Sequence, residues 1–415
     1  MVSHRPDARF DVVVVGSGGA GMSAAWAAAR VGASVLVVTK SALGASNTGR
    51  AQGGIQAAVG PDDTPESHFA DTFAAGHRAA RPELARKLTA EGPAAVAFLE
   101  RIGVEFSRDD GALRILRCGG ASRPRLLQAG ERTGAEMVRS LRRAVHDADV
   151  TVWESTALRS MEPGANGWRL RTRDAHGAAP AAPAPDRVVD AGAVVLAAGG
   201  GLRGEAQALG VGSTNHPDAT PEVLRLAIDL GARAVHVDSW QRHPTGSVWP
   251  AALSGYALPE TTRAYGATLH DRDGDRFVDE LAPRDVVADA ITRAVEEGRG
   301  DAAPDGRPGV WLDTPAIDRT HGAGFTARRL AYVHNRYAKA GVDITRERVL
   351  VYPVLHYRNG GLAIDEDAGT TLPGVFAAGE ITGGVHGTNR LMGNSLLDTV
   401  VFGLTAGRSA AAAAR

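Results

Sequence analysis

Six residues near the N-terminus have the spacing of a dinucleotide-binding turn. Residues 16–21 read G-S-G-G-A-G and lie between an apolar run and an alanine-rich segment. In this pattern Gly16 permits a tight turn, Gly18 lets a pyrophosphate approach the backbone, and Gly21 allows a helix to pack closely on a strand. The positive end of the following helix also favours an anion. The pattern therefore predicts that the chain binds a dinucleotide.

The residues after the next apolar run argue against plain NAD binding. In NAD-binding proteins an acid at this place holds a ribose hydroxyl. Thr39 and Lys40 stand here instead, and neither carries a carboxylate. We retain both residues as candidate cofactor contacts for a different dinucleotide.

The turn needs a strand before it and a helix after it, and the sequence supplies both. Residues 10–15 are apolar on both faces, as in a buried parallel strand, and residues 18–31 and 34–39 predict a helix and a second strand. This βαβ unit predicts the α/β fold class. Further strands are predicted at 193–198, 348–354 and 375–378, further helices at 83–101, at 133–148 and from 395 onward, and a low-complexity loop at 175–185.

The composition restricts the chemistry. The 415 residues include 46 basic and 47 acidic ones, so nothing suggests a nucleic-acid or membrane partner. Cys118 is the one cysteine, which excludes an internal disulfide and a cysteine-ligated iron–sulfur cluster, and no metal site is predicted. The N-terminus has no apolar signal core, so a cytoplasmic location is expected. Redox chemistry would need an organic cofactor.

Short motifs along the rest of the chain occur in the order of a known family. They are QGGI at 52–55, RTG at 132–134, HPTG at 243–246, RDVV at 284–287, HY and GG within 356–361, GE at 379–380, HGTNRL at 386–391 and NSLL at 394–397. On these motifs the sequence resembles the flavoproteins of succinate dehydrogenase, fumarate reductase and L-aspartate oxidase. The resemblance implies a Rossmann-type FAD-binding domain, residues 1–243 and 344–415, interrupted by an inserted α+β capping domain, residues 244–343.

The same resemblance implies a set of FAD contacts. They are Gly16, Gly18 and Gly21 at the pyrophosphate, Gln52, Gly53 and Gly54 near the isoalloxazine, Glu380 at a ribose, and Asn394, Ser395 and Leu396 at the flavin N1/O2 edge. The positive end of the last helix would stabilise an anionic reduced flavin. Respiratory members attach the flavin through a histidine, and Asn47 stands at that place here. Non-covalent FAD is therefore expected.

On the substrate side the resemblance implies four catalytic residues. His243, His356 and Arg390 would hold carboxylates, and Arg284 would deliver or take a proton while a hydride passes to or from flavin N5. Guanidinium groups suit this work because they bind carboxylates through a planar fork. For His386, packing beside the flavin and contact with the substrate are both open.

Several residues depart from the family pattern and suggest a remodelled pocket. Cys118 replaces the acid that meets the substrate ammonium in L-aspartate oxidases, and Pro259 replaces the threonine before Glu260. Arg358 adds a charge, which would favour an additional acidic group on the substrate if its side chain points inward. Because the sequence stops at Arg415, the family's C-terminal helical domain is expected to be absent and an iron–sulfur partner is not expected.

Three hypotheses follow. The first is an FAD-dependent oxidoreductase that oxidises or reduces a C–C or C–N bond of a small dicarboxylate or amino-dicarboxylate in a specialised pathway. The second is an L-aspartate oxidase that forms iminoaspartate with O₂ as acceptor. The third, a flavin-binding protein without catalysis, is disfavoured because Arg284, His243, His356 and Arg390 are all present.

Overall fold

The computed structural model describes residues 8–175 and 186–415. Most of the predicted low-complexity loop, residues 176–185, lies outside the described residues, as do residues 1–7, on which the expectation about a signal segment falls. Within the described ranges, no helix has both the length and the apolar character to cross a membrane.

The strands of the described residues group into one parallel-rich sheet, several antiparallel sheets and one small mixed sheet. They are Ala8–Val15 (β1), Val35–Val38 (β2), Ile55–Gln56 (β3), Arg108–Asp109 (β4), Ala112–Leu113 (β5), Ile115–Leu116 (β6), Leu126–Leu127 (β7), Thr151–Trp153 (β8), Thr156–Gly164 (β9), Gly167–Asp174 (β10), Arg187–Leu196 (β11), Ala234–Val235 (β12), Trp240–Ser247 (β13), Thr268–His270 (β14), Asp301–Ala302 (β15), Pro308–Asp313 (β16), Val349–Arg358 (β17), Gly361–Ala363 (β18), Val375–Ala377 (β19) and Thr382–Gly383 (β20).

The helices of the described residues surround these sheets. They are Gly19–Arg30 (α1), Asn47–Arg50 (α2), Pro65–Ala75 (α3), Pro82–Ala90 (α4), Gly92–Arg101 (α5), Thr133–His146 (α6), Leu202–Leu209 (α7), Glu222–Asp229 (α8), Glu260–Ala264 (α9), Arg284–Glu296 (α10), Pro315–His321 (α11), Phe325–Arg329 (α12), Ala331–Ala338 (α13) and Asn394–Ala413 (α14), with a 3₁₀ turn at Ala251–Leu253. The predicted helix at 83–101 forms two helices, because Gly92 and Pro93 interrupt it.

The main sheet carries the N-terminal turn. Its strand order is β8-β2-β1-β11-β10-β9, with β19 also paired to β11, and β1 is parallel to both β2 and β11. Four valines of β1, residues 12–15, are buried, as the unbroken apolar run predicts. The predicted α/β class with a Rossmann-type sheet is confirmed.

Two helices from opposite ends of the chain pack on this sheet side by side and run in the same direction. In α14, Cβ atoms on Gly403 and Gly407 would lie 2.8 Å and 2.1 Å from the carbonyl oxygens of Ala20 and Ala24 in α1. Only glycine permits so close an approach of two helix backbones. The N-termini of α1 and α14 therefore point toward one cavity.

A second region is built on an antiparallel sheet of order β13-β17-β16-β14, to which β15 adds a further strand. Its hydrophobic cluster extends from Leu253 to Val351. Strands β13 and β17 also contribute side chains to the cavity. The capping-domain limits of 244–343 stay a prediction; the cluster continues past the second limit, and β13 crosses the first.

Candidate active site

One cavity of about 500 Å³ lies where the main sheet meets the second region. Its wall contains the glycine turn and the start of α14 at one end, which we call the cofactor end. At the other end, called the reaction end, the wall contains charged and aromatic side chains. The residues of the reaction end are His243, Glu260, Arg284, His356, Tyr357 and Arg390.

The cofactor end is a backbone cradle. Gly16 has φ +106°, and a Cβ there would lie 2.4 Å from the Ala197 carbonyl oxygen. A Cβ on Gly21 would lie 1.9 Å from the Gly16 carbonyl oxygen, so Gly21 supports the packing of turn and helix. Around Gly18 the nearest atom to a Cβ would be Thr48 Oγ1 at 3.5 Å, so the cradle is open there. The open cradle and the positive end of α1 fit a pyrophosphate.

The start of α14 is fixed from behind by a buried side chain. Asn394 Oδ1 lies 2.9 Å from His68 Nε2, and its amide nitrogen donates to Thr72 Oγ1 at 2.9 Å. Burial lowers the pKa of His68 to about 4, so its imidazole is neutral at pH 7. The Asn394 side chain therefore positions the helix and does not face the cavity, in contrast to the sequence expectation, whereas Ser395 and Leu396 line the cavity wall.

Asn47, the residue that the family resemblance places at the position of an attaching histidine, is held by three hydrogen bonds. Its amide nitrogen donates to Asn215 Oδ1 at 2.7 Å and to Glu380 Oε2 at 3.2 Å, and its oxygen accepts from the His216 backbone N–H at 2.7 Å. Burial raises the pKa of Glu380, although the Arg358 backbone N–H and Asn47 both donate to its carboxylate. Glu380 and Asn47 both line the cavity.

The other predicted cofactor contacts also lie in the cavity wall. Thr39 Oγ1 lies 2.8 Å from Ser17 Oγ, and Lys40 Nζ pairs with Glu222 Oε2 at 2.9 Å. Gln52, which precedes two further glycines of the wall, accepts a hydrogen bond of 2.6 Å from the Tyr256 hydroxyl. The wall residues in question are Thr39, Lys40, Gln52, Gly53 and Gly54.

The two histidines of the reaction end come from paired antiparallel strands. His243 of β13 lies opposite Val354 of β17, two residues from His356. Side chains two residues apart along a strand share a face, so the imidazoles meet with ring centroids 5.2 Å apart. The His356 ring is oriented by Thr214, whose Oγ1 lies 2.7 Å from Nδ1.

Two arginines from distant segments meet at one amide oxygen. Gln241 Oε1 accepts from Arg284 Nη1 at 3.2 Å and from Arg390 Nη2 at 3.0 Å. Arg284, the first residue of α10, also donates from Nε to Glu260 Oε2 at 3.0 Å. Glu260 in turn accepts from the Gly119 backbone N–H at 2.7 Å. The two guanidinium groups are thus held side by side.

Burial and positive charge set the protonation states here. Burial, together with the arginines, holds the pKa of His243 and His356 well below the usual range, so both imidazoles are neutral. Burial and then Arg284 lower the pKa of Arg390 to about 10, which leaves it charged at pH 7. Burial alone would raise the pKa of Glu260, but Arg284 and Arg263 outweigh it and the pKa is lowered. Glu260 is therefore an engaged carboxylate.

Two polar atoms of the reaction end are unpaired among the described residues. His243 Nδ1 and Arg390 Nε are buried and have no hydrogen-bond partner among the described residues. The Arg390 guanidinium carbon lies 4.3 Å from the centroid of the Tyr357 ring. An anion that entered this end would meet two guanidinium groups and two neutral imidazoles.

Three expected pocket residues do not lie in the cavity wall. Buried Cys118 receives a contact of 3.1 Å from Gln56 Nε2, and burial raises the pKa of its thiol. Arg358 is turned into the protein, where Nε donates to the Gly200 carbonyl oxygen at 2.6 Å and Nη2 pairs with Glu205 at 3.1 Å. The third is His386.

His386 is a packing residue behind the wall. Its Nε2 lies 3.3 Å from an Asp398 carboxylate oxygen, and its ring meets the Tyr357 ring edge-on. Of the two roles left open for His386, the geometry favours packing. The sequence alone could not show the directions of these three side chains, because each is set by contacts with distant segments.

Two residues of this part of the molecule were missed by the sequence analysis. Gln241 joins the two arginines, and buried Arg263 lies with Nη2 3.5 Å from Glu260 Oε2. The Gln-x-His spacing of Gln241 and His243 on one strand was an available signal, because it places both side chains on one face. Arg263 lies three residues after Glu260 on α9, which is the spacing of a helix pair.

Similar proteins bear on the identity of this site. Residues 11–396 match the sequence family described as "FAD binding domain". L-aspartate oxidase of Streptomyces coelicolor is 37% identical over 403 residues, which cover 94% of this chain and 67% of that protein. A fumarate reductase (CoM/CoB) subunit of Methanothermobacter marburgensis is 35% identical over 418 residues, which cover 97% of this chain and 72% of that protein.

Solved structures give the same result. The FrdA chain of E. coli quinol fumarate reductase superimposes with a TM-score of 0.88 at 28% identity, covering 98% of this chain and 70% of that one. Mycobacterium smegmatis Sdh1 gives a TM-score of 0.81 at 34% identity, covering 98% and 69%.

One cavity joins the glycine cradle at the end of the parallel sheet to a group of buried arginines. This arrangement is expected of a redox enzyme that depends on a dinucleotide. The chain belongs to the FAD-binding flavoprotein family that includes L-aspartate oxidase and the fumarate reductase flavoprotein. It is an FAD-dependent oxidoreductase, and the expected family and cofactor are confirmed.

Proposed function

We propose that this enzyme oxidises or reduces a C–C or C–N bond of a small dicarboxylate or amino-dicarboxylate. The observation that carries the proposal is the convergence of Arg284, Arg390, His243 and His356 at one end of the cavity. Two guanidinium groups and two neutral imidazoles provide enough donors for more than one carboxylate. Clamping both ends of a small diacid would align its carbons for reaction.

The cofactor end would hold FAD through its backbone cradle and the positive start of α14. The open space at Gly18 would receive the pyrophosphate, and Glu380 would accept hydrogen bonds from a ribose. Bound FAD would supply a hydride acceptor or donor at its N5. Asn47 cannot form the attachment that a histidine forms, so we expect acid or heat denaturation to release the flavin into the supernatant. Flavin that precipitates with the polypeptide would contradict this expectation.

Arg284 is the residue proposed to move a proton. Its side chain is buried, lies in the cavity wall and donates to Glu260 and Gln241, so its position is fixed. An arginine is an awkward acid because its ordinary pKa is above about 12. The adjacent Glu260 and Arg263 provide charged groups through which a proton could be returned. Closure of the capping region over the cavity would exclude water from this transfer.

L-aspartate oxidase activity, with O₂ as acceptor and iminoaspartate as product, is the second candidate. The relatives named L-aspartate oxidase favour it. Against it, Glu260 is already engaged by two arginines and the Gly119 N–H, and Cys118 carries no charge. A substrate ammonium would therefore find no uncommitted carboxylate among the described residues of the reaction end.

The enzyme is further proposed to act in the cytoplasm on a small carboxylate, without nucleic-acid or membrane partners. The near balance of acidic and basic residues supports this. That it needs no iron–sulfur partner stays a prediction, since the Methanothermobacter relative is named as one component of a larger enzyme.

Anaerobic mixing tests the proposal. Purified protein is mixed with succinate, L-aspartate and N-substituted aspartates, and the flavin absorbance is followed; protein with reduced flavin is mixed with fumarate. We expect at least one dicarboxylate to change the flavin redox state. If none does so in either direction, the proposed substrate class is wrong.

A further inference from the structure

A second group of cations lies in the cavity wall outside the reaction end. Arg50 of α2, Arg132 at the start of α6 and Arg336 of α13 all line the cavity and are all exposed. We call these three residues the arginine rim. Arg50 and Arg132 belong to the region of the main sheet, whereas Arg336 belongs to the second region. The rim therefore spans the junction of the two regions.

The rim arginines differ from those exposed arginines of this protein that pair with a nearby carboxylate. Arg139 pairs with Glu136 at 2.7 Å, and Arg307 pairs with Asp305 at 2.6 Å. Across residues 8–175 and 186–415, by contrast, none of the three rim arginines forms an ion pair with a carboxylate.

Aromatic rings hold two of the rim arginines in place. The Arg336 guanidinium carbon lies 4.4 Å from the centroid of the Tyr256 ring, and that of Arg132 lies 5.1 Å from the Tyr332 ring. Such stacking orients a guanidinium while leaving its N–H groups available. Tyr256 also donates to Gln52, so this part of the rim adjoins the predicted flavin contacts.

Two further observations describe the charges near the rim. Burial and then the nearby charges of Arg203 and Arg336 lower the pKa of Arg50, which shows that the positive groups are crowded. The carboxylate of Glu131, which precedes Arg132, accepts from the Tyr332 backbone N–H at 2.5 Å through Oε2 and forms no ion pair with the rim, and its buried Oε1 has no hydrogen-bond partner among the described residues.

We propose that the arginine rim is a binding site for small organic polyanions at the mouth of the cavity, where it captures an anionic group of the incoming substrate. This inference rests on the proposed function, which makes the substrate a carboxylate. Two or three guanidinium groups bind carboxylates or phosphates through forked, charge-assisted hydrogen bonds. A cleft lined by one sign of charge also raises the rate of association with ligands of the opposite sign. The extra acidic group on the substrate, which the sequence linked to Arg358, would thus meet the rim instead.

The test uses the FAD-loaded protein and citrate as the probe, measured by calorimetry at low salt. In the double variant Arg50→Gln/Arg336→Gln we expect citrate to bind about tenfold more weakly, with a flatter dependence on ionic strength. Arg101→Gln is the matched control, because Arg101 is also exposed, also lies over an aromatic ring and is not part of the cavity wall. It should bind citrate as the unchanged protein does.

Three results would overturn the proposal. Undiminished citrate binding by the double variant would assign the anion to Arg284 and Arg390 alone. Absence of citrate binding to the unchanged protein would remove the site altogether. Loss of FAD from the double variant would assign the rim to the cofactor. Because the assay needs no turnover, its outcome is separate from whether any dicarboxylate reduces the flavin.

Discussion

The two ends of the cavity are built on opposite principles. The cofactor end depends on glycines, which have no side chain: Gly16 and Gly21 let backbone atoms approach closely, and Gly18 leaves space for a ligand. The reaction end depends on side chains that are present, buried and charged, such as Arg284 and Arg390. Adding an atom should therefore damage the first end, whereas removing a group should damage the second.

The ends also differ in how their residues are assembled. The glycine turn is one continuous segment, supported by the strand before it and the helix after it. The reaction end combines β13, β17, the start of α10 and the loop before α14, and Gln241 is the point at which two of these segments meet. Glu260 compensates the charges of Arg284 and Arg263 there, whereas Arg390 forms no ion pair with a carboxylate among the described residues.

The largest effect is expected at the reaction end. Arg284→Ala removes the proposed proton donor together with its bonds to Glu260 and Gln241. Turnover should fall by about 10³-fold, within the range for loss of a positioned acid or base. The FAD content should not change, because Arg284 lies at the other end of the cavity from the glycine cradle. Arg293→Ala, an exposed position on the same helix, is the control. Turnover within tenfold of the unchanged protein would exclude Arg284 from catalysis.

The cofactor end is probed by adding one methyl group. In Gly18→Ala the new Cβ meets no atom closer than 3.5 Å, so the free protein should keep its stability while FAD affinity falls. In Gly21→Ala the Cβ would lie 1.9 Å from the Gly16 carbonyl oxygen, and stability should fall by about 3 kcal/mol. Thermal unfolding and FAD titration of both apoproteins measure the two effects. Equal loss of stability in both variants would contradict a cradle at Gly18.

A smaller effect is expected from the hydrogen bonds that connect the segment of Arg284 to the segment of Arg390. Asp285, next to Arg284, accepts from Asn389 Nδ2 at 2.9 Å and lies 2.8 Å from His77 Nε2. Asn389 precedes Arg390, so Asp285 links the segments of both arginines. Asp285→Ala should lower kcat about tenfold, the size of one charged hydrogen bond, with unchanged FAD content. Asp285→Asn should recover part of the loss, since its amide oxygen can still accept. Equal kcat in all three proteins would show that these hydrogen bonds are dispensable.

The smallest effect concerns Cys118. Because its side chain lies behind the cavity wall, Cys118→Ser should alter the flavin-reduction rate by less than about twofold, as expected for a group that touches no reacting atom. Stopped-flow reduction of both proteins measures this. A large change in the selectivity between L-aspartate and other dicarboxylates would show that Cys118 contributes to the substrate pocket.

The contrast between the two ends explains which parts of the fold and of the site could be predicted from the sequence. The glycine turn, β1 and α1 follow from local patterns, because their residues are neighbours in the chain as well as in the fold. His386 belongs to a matching motif and Arg358 departs from one, yet their side chains turn to Asp398 and Glu205, and only tertiary packing decides that direction. Gln241 was not predicted, although its spacing from His243 was an available signal, because the contacts that give it a role come from distant segments.

The reaction end is proposed to accept dicarboxylates without a partner for a substrate ammonium. The most direct test is anaerobic stopped-flow measurement of the bound flavin. The oxidised protein is mixed with L-aspartate, with N-substituted aspartates or with succinate, and the reduced protein is mixed with fumarate. We expect a dicarboxylate lacking or masking the amine to react at least about tenfold more efficiently than L-aspartate, the effect of one charge-assisted hydrogen bond. If L-aspartate reacts as well as every analogue, this proposal is contradicted and the protein is an L-aspartate oxidase.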